Sequence, residues 1–107
     1  MILISKYLVP KGYTGIALFP FIVLRQSRMK HDPVLINHEK IHLRQQLELL
    51  IIPFFIWYGL EFLIKYLKYR NWRMAYSNIS FEREAYAQEM DLKYLEQRRF
   101  WEFRIYL

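Results

Sequence analysis

The sequence contains no cysteine among its 107 residues. This absence excludes a disulfide framework and any metal site built from thiolates, and it favours the cytosol, where disulfides are rare. Residues 1–6 also lack the basic segment, the long apolar segment and the small-residue cleavage site of a signal peptide. We therefore expect a cytoplasmic protein, either free or associated with a membrane, and the length predicts one domain spanning residues 1–107.

The sequence also lacks the basic stripe that nucleic-acid-binding proteins usually carry. Its formal net charge is +6, but most basic residues are scattered along the chain and no nucleic-acid-binding motif is present. One cluster, made of Lys65, Lys68, Arg70 and Arg73, directly follows the most apolar stretch. That order suits a membrane surface containing anionic lipid, and a solvated protein surface is the simpler alternative.

An uninterrupted apolar run long enough to cross a membrane is missing as well. Within the most apolar stretch, residues 47–64, the longest uncharged run is residues 49–60, which has twelve residues and contains Pro53. Glu48 and Glu61 bound the run on either side. Since a transmembrane helix needs about 20 apolar residues, this length indicates a core helix or an interfacial helix.

The apolar and turn patterns predict a mostly helical α+β fold with an N-terminal edge strand or small sheet. Residues 16–25 are rich in β-branched and aromatic side chains, which is typical of a strand, and Pro20 within them favours an edge position or a bulge. Asp32 and Pro33 form a helix start signal. The predicted helices cover residues 33 to about 50, 54–69 and 80 to about 98, with residues 71–78 as a connection.

One motif in the sequence indicates a metal-binding or catalytic site, the run His38-Glu39-Lys40-Ile41-His42. A spacing of four residues on a helix places both imidazoles on one face, within reach of one ion. Neutral imidazoles are good zinc ligands. Glu39 projects beside the pair, where it can act as a general base toward a zinc-activated water. The motif therefore predicts a Zn²⁺ site formed by His38 and His42.

A catalytic zinc site needs a third protein ligand from elsewhere in the chain. His31, the remaining histidine, precedes Pro33 and therefore lies outside the helix. No further histidine follows the motif at the spacing found in metzincins, so a carboxylate is expected. Glu82 and Glu84 are the candidates, and they lie about 200° apart around a helix, so both cannot face the same ion.

In this region the sequence resembles the gluzincin metallopeptidases, which pair an HExxH helix with a glutamate on a second helix. Residues 82–86 match the family pattern E-x-x-A-D in the glutamate and the alanine, but Tyr86 stands where many members have aspartate. The resemblance implies a zincin-like hydrolase that cleaves peptide or protein substrates. It implies that His38, His42 and Glu82 bind zinc and that Glu39 is the base, with Glu84 as the alternative third ligand.

The same resemblance gives roles to neighbouring elements. Tyr86 and Glu89 lie on the Glu82 side of the helix, where they can support the metal ligands. The strand predicted at residues 16–25 corresponds to the edge strand that pairs with an extended substrate in such peptidases. For the group that stabilises the oxyanion, Tyr76, Tyr86 and His31 are equal candidates. The whole chain also looks like a small HExxH family that resembles sensor-type and membrane-associated peptidases.

Two alternatives to a peptidase stay open from the sequence. The first is a zinc-binding domain without catalytic activity, which the short chain and the absent aspartate favour. The second is a membrane-associated helical protein in which the HExxH pattern is accidental. The aromatic residues Phe54, Phe55, Trp57, Tyr58 and Phe62 have helical spacing, and we expect them to belong to the core.

Overall fold

A computed structural model describes all residues, 1–107. Three short strands and a 3₁₀ helix precede five α-helices, and a second 3₁₀ helix lies at the C-terminal end. The strands are β1 (Ile2–Ile4), β2 (Gly15–Leu18) and β3 (Phe21–Leu24), and the 3₁₀ helices cover Ser27–His31 and Glu102–Tyr106. The α-helices are α1 (Pro33–Glu48), α2 (Ile52–Tyr69), α3 (Trp72–Ser77), α4 (Ser80–Gln88) and α5 (Tyr94–Gln97). The predicted mostly helical α+β class is confirmed.

The sheet has the strand order β1-β3-β2, with β3 parallel to β1 and antiparallel to β2. The prediction of one strand over residues 16–25 was wrong, because these residues form the hairpin β2–β3. Pro20 lies in the turn between the two strands rather than within a strand. A proline cannot donate a ladder hydrogen bond, so the turn is where it is tolerated. Strand β2 is left at one edge of the sheet.

Helix α1 begins as its start signal predicts. The Asp32 carboxylate accepts hydrogen bonds of 3.1 Å from the amides of Val34 and Leu35, which satisfies two of the free N–H groups of the first turn. The helix ends at Glu48, and the backbone then passes through Leu50 and Ile51, both at a φ of 62°. This turn bends the chain by 112° into α2.

Helices α1 and α2, taken together, are the candidate for a segment that crosses a membrane. Neither helix alone is long and apolar enough to cross a bilayer, and only the two together, with the sharp bend between them, reach the required length and composition.

Two expectations about the C-terminal half were wrong. Residues 71–78 were expected to be a connection, but α3 forms there because the Asn71 side chain caps it by accepting from the Met74 amide at 3.1 Å. The last long helix ends at Gln88 instead of near residue 98. The Asn37 amide of α1 donates to the carbonyls of Glu89 and Asp91 at 2.8 and 3.0 Å, so a contact with α1 replaces the next helical turn.

The core lies between α1, α2 and α4 and fixes how these helices face one another. Its larger cluster contains Leu49, Phe54, Ile79, Phe81 and Phe103. A second cluster joins Ile41 of α1 to Ala85 of α4, both fully buried. The small side chain at position 85 lets α1 and α4 approach closely. Their facing polar residues are thereby brought together beneath strand β2.

Candidate metal centre

His38 and His42 project from the same face of α1, and both are buried. Their Nε2 atoms are 3.2 Å apart, so the two rings point at one location. The rings are edge to face, with centroids 4.8 Å apart. The α-helical spacing of four residues therefore produces the convergence that the sequence motif predicts.

Glu82 on α4 completes the group. Its Oε1 lies 3.4 Å from Nε2 of His38, and its Oε2 lies 3.2 Å from Nε2 of His42. One donor atom from each of the three residues lies within 4.8 Å of the others, and all three residues are buried. Buried histidine and glutamate donors in this arrangement can hold a metal ion.

The Glu82 carboxylate has one oxygen without a hydrogen-bond partner. Oε1 is buried and accepts no hydrogen bond, although His38 is close. A buried carboxylate oxygen without a partner is unfavourable, because its lost hydration is not replaced. A cation between the three side chains would compensate for that loss, so the donor set fits a metal ion.

The electrostatics of the group favour a positive charge at its centre. Burial alone would lower the pKa of His42, but the adjacent Glu82 carboxylate outweighs burial and raises this pKa to about 9. Burial likewise acts to raise the pKa of Glu82, yet the imidazoles of His42 and His38 hold it well below its usual range. A carboxylate that stays ionised at low pH, facing two imidazoles, attracts either protons or a metal ion.

Glu39 lies beside this group and does not join the three donors. It is buried, and burial raises the pKa of its carboxyl above the usual value even though His42 and His38 act in the opposite direction. Strand β2 passes close by at Gly15, where an added Cβ would lie 3.4 Å from Glu39 Oε2 and 3.0 Å from Leu24 Cδ2. Glycine at this position avoids a tight contact with Leu24 of β3, and it lies next to the Glu39 carboxylate.

Glu84, the alternative third ligand, lies in a different network. Its side chain is fully buried and forms an ion pair with Arg98. It also accepts hydrogen bonds from the Tyr94 hydroxyl at 2.6 Å and from Gln45 Nε2 at 2.8 Å. Arg98 pairs in turn with Glu48 at 2.6 Å. The structure therefore brings Glu82 to the histidines and directs Glu84 toward the C-terminal segment.

A hydrogen-bond chain connects the Glu84 network to the metal site. Because Gln45 donates both to Glu84 and to the carbonyl of Phe81, its amide oxygen must face His42, at 2.8 Å from Nδ1. An amide oxygen only accepts, so in the neutral form of His42 the proton is on Nδ1 and Nε2 has the lone pair that a metal ion needs. Glu84 and Gln45 thus select the tautomer of His42 that can bind a metal.

The two residues expected to support the ligands both lie against His38. Glu89 Oε1 is 3.5 Å from Nδ1 of His38, and the Tyr86 ring contacts the imidazole edge to face at 4.6 Å between centroids. Tyr76 stacks edge to face against Tyr86 at 6.4 Å and lies deeper in the site. His31 is exposed on the 3₁₀ helix Ser27–His31.

Sequence reasoning missed two residues of the site. Tyr58, expected to be a core residue, donates a hydrogen bond of 2.7 Å to Oε2 of Glu82. Gln45 was not considered at all, although its place three residues after His42 puts it on the same helix face. The sequence therefore held a signal for Gln45, whereas the role of Tyr58 depends on how α2 packs against α4.

Two cavities of about 490 and 480 Å³ meet at the site. The first is the more polar of the two and is lined by Arg28, Arg73 and Glu89 together with His38. The second is more apolar and runs between β2 and α2. Glu39, Tyr76, Gly15 and Tyr13 line both cavities. Glu39 therefore lies between the two cavities, beside the edge strand.

Comparisons with protein-family models, curated proteins and solved structures find no match for this chain. The chemical interpretation therefore depends on the geometry of the residues. That geometry provides a buried His-His-Glu group that can hold a metal ion.

Proposed function

We propose that this chain is a zinc-dependent metallopeptidase of the gluzincin type, with His38, His42 and Glu82 as ligands and Glu39 as general base. The main support is the convergence of the three side chains: the two Nε2 atoms are 3.2 Å apart, and the Glu82 carboxylate lies 3.4 Å from that of His38 through Oε1 and 3.2 Å from that of His42 through Oε2. Tetrahedral zinc with bonds of about 2.0–2.2 Å separates its ligand atoms by about 3.3–3.6 Å. Nitrogen and carboxylate donors without thiolate also suit zinc.

Zinc bound there would polarise a peptide carbonyl and make a water molecule more acidic. Three protein ligands are the usual number in catalytic zinc sites, which leave one position open. In this proposal Glu39 would take a proton from the attacking water and deliver it to the leaving amine. Its raised pKa favours this role, because a more basic carboxylate is the better proton acceptor.

Tyr76 is the best-placed donor for the oxyanion among the candidates Tyr76, Tyr86 and His31. It lines both cavities, whereas Tyr86 lines only the polar one and His31 lines neither. Burial and the Glu82 carboxylate raise the pKa of the Tyr76 phenol, so the hydroxyl keeps its proton and can donate it as a hydrogen bond.

The edge strand supports a peptide as the substrate. Strand β2 pairs only with β3, so its other side can accept an additional strand. Gln46 already occupies part of that side. Its side-chain amide donates a hydrogen bond to the Ala17 carbonyl and accepts one from the Phe19 backbone N–H, both at 2.7 Å. A substrate strand would therefore pair at Gly15, next to Glu39, with an apolar side chain in the cavity between β2 and α2.

The decisive experiment compares Glu39→Gln with wild type for zinc content and for cleavage of a peptide library. We expect both proteins to hold zinc and only wild type to cleave peptides, since glutamine keeps the shape but cannot accept the proton. Glu96→Gln, an exposed glutamate, is the matched control and should retain activity. Bound zinc with no cleavage by wild type would instead indicate a non-catalytic zinc domain.

A further inference from the structure

Helix α2 presents an apolar surface to solvent along its whole length. Only Phe54 among its 18 residues is buried. Six aliphatic side chains of the helix are more than half exposed and form what we call the outer face. They are Ile52, Ile56, Leu60, Leu63, Ile64 and Leu67, with exposures of 71, 60, 56, 52, 62 and 57%.

The polarity of α2 is the reverse of that expected for a surface helix in water. Its only charged residues are Glu61, Lys65 and Lys68. At 100° per residue these three lie within about 40° of the buried Phe54, on the side opposite Leu63. The Glu61 carboxylate is turned inward and accepts from the amide of Ser80 at 2.8 Å. Charged residues normally occupy the exposed side of such a helix, so the outer face is built for an apolar environment.

Basic residues border this apolar surface. Lys68 lies in the last turn of α2, and Arg70 and Arg73 follow it directly; all three are exposed. An interfacial helix commonly combines an apolar face with flanking lysine and arginine residues, because the cations reach anionic headgroups while the apolar side chains enter the lipid. The formal net charge of the whole chain, +6, is also positive and therefore favours an anionic surface.

We propose that the outer face of α2 docks on a lipid bilayer that contains anionic lipid, with the helix lying in the plane of the interface. Anionic headgroups supply the negative charge that the bordering cations need. A second copy of this chain would not supply it there, because the outer face contains no acidic residue. An in-plane orientation also agrees with the finding that α2 alone does not meet the requirements for crossing a bilayer.

The test is flotation of the full chain with phospholipid vesicles. Vesicles of phosphatidylcholine and equimolar phosphatidylglycerol should carry the protein upward, and phosphatidylcholine alone or added salt should weaken the binding. In Leu63→Glu the partition coefficient should fall at least about tenfold, because a charge replaces buried apolar surface. Leu63 is exposed, so this variant should fold normally.

Leu92→Glu is the matched control, since Leu92 is 57% exposed but lies outside α2. It should float like wild type. Absence of flotation, or equal binding by Leu63→Glu and wild type, would overturn the proposal. Sedimentation equilibrium tests whether the outer face binds a second copy of the chain instead. A wild-type dimer that does not bind vesicles and that dissociates in Leu63→Glu would show this, and it would also overturn the proposal.

Discussion

The hydroxyl of Tyr58 donates a hydrogen bond of 2.7 Å to Oε2 of Glu82, so α2 holds in place the carboxylate that faces the two histidines. Burial and the Glu82 carboxylate raise the pKa of Tyr58, and its hydroxyl therefore remains a donor. The metal group thus depends on three helices: α1 supplies two imidazoles, α4 supplies the carboxylate and α2 orients it.

Tyr58→Phe removes this hydrogen bond and leaves the aromatic ring in place. We expect the zinc dissociation constant to rise about 10- to 100-fold, as is usual when a group that orients a metal ligand is lost. Competition with a chromophoric chelator measures it. Tyr66→Phe is the control on the same helix, because Tyr66 is exposed. Equal zinc affinities in the two variants would show that Tyr58 does not orient Glu82.

Zinc binding should release about one proton at pH 7. The pKa of His42 is about 9 in the metal-free protein, above its ordinary value of 6.5, so the ring is protonated at pH 7 and must lose that proton to bind the metal. Apparent zinc affinity should therefore increase about tenfold per pH unit from pH 7 and level off near pH 9. Calorimetry in buffers of different ionisation enthalpy counts the released protons. A pH-independent affinity over this range would contradict the assignment.

The same pKa predicts how the stability of the metal-free protein depends on pH. Because the folded-state pKa of His42 exceeds the unfolded value, proton binding stabilises the native state. This contribution is fully present below about pH 6.5 and is lost as the pH rises through about 9. Urea denaturation of chelator-treated protein at several pH values measures the loss, which should disappear in His42→Ala.

Arg98 is expected to be the most important charged residue for stability. Arg98→Met leaves Glu84 and Glu48 without their cation, and Glu84 is fully buried. Removing one partner of a buried ion pair costs about 3–5 kcal/mol, which urea denaturation detects as a lower free energy of unfolding. Arg99→Met is the matched control at the adjacent exposed position. A decrease in the free energy of unfolding of less than about 1 kcal/mol would mean that the ion pairs of Arg98 contribute no more than ordinary surface ion pairs.

Tyr76→Phe tests the proposed oxyanion donor. We expect kcat to fall roughly 10²-fold with zinc content unchanged, because only the transition state would lose a hydrogen bond. Tyr7→Phe, 87% exposed and outside both cavities, should keep full activity. A loss of zinc in Tyr76→Phe would mean that Tyr76 supports the metal group instead.

Local signals predicted the helix that carries the two histidines of the candidate metal site. Asp32 and Pro33 define the start of α1, and the spacing of His38 and His42 fixes their common face. Periodicity also located α2 and the start of α4. These features depend on residues close together in the sequence, where capping and helical geometry decide the outcome.

Features that depend on packing between distant segments could not be predicted. Two glutamates of one helix, Glu82 and Glu84, differ in role because Arg98 neutralises one of them from the C-terminal segment. The early end of α4 likewise follows from the contact of the next residues with Asn37 of α1. Sequence spacing alone contains no information about such partners.

Zinc stoichiometry of the purified protein, measured by native mass spectrometry, tests the central claim most directly. We expect one zinc ion per chain in wild type and in His31→Ala, whose histidine is exposed and lines neither cavity. His42→Ala and Glu82→Ala should lose the ion while remaining folded. A folded wild type that takes up no zinc even when zinc is added, or a His42→Ala variant that keeps it, would contradict the account.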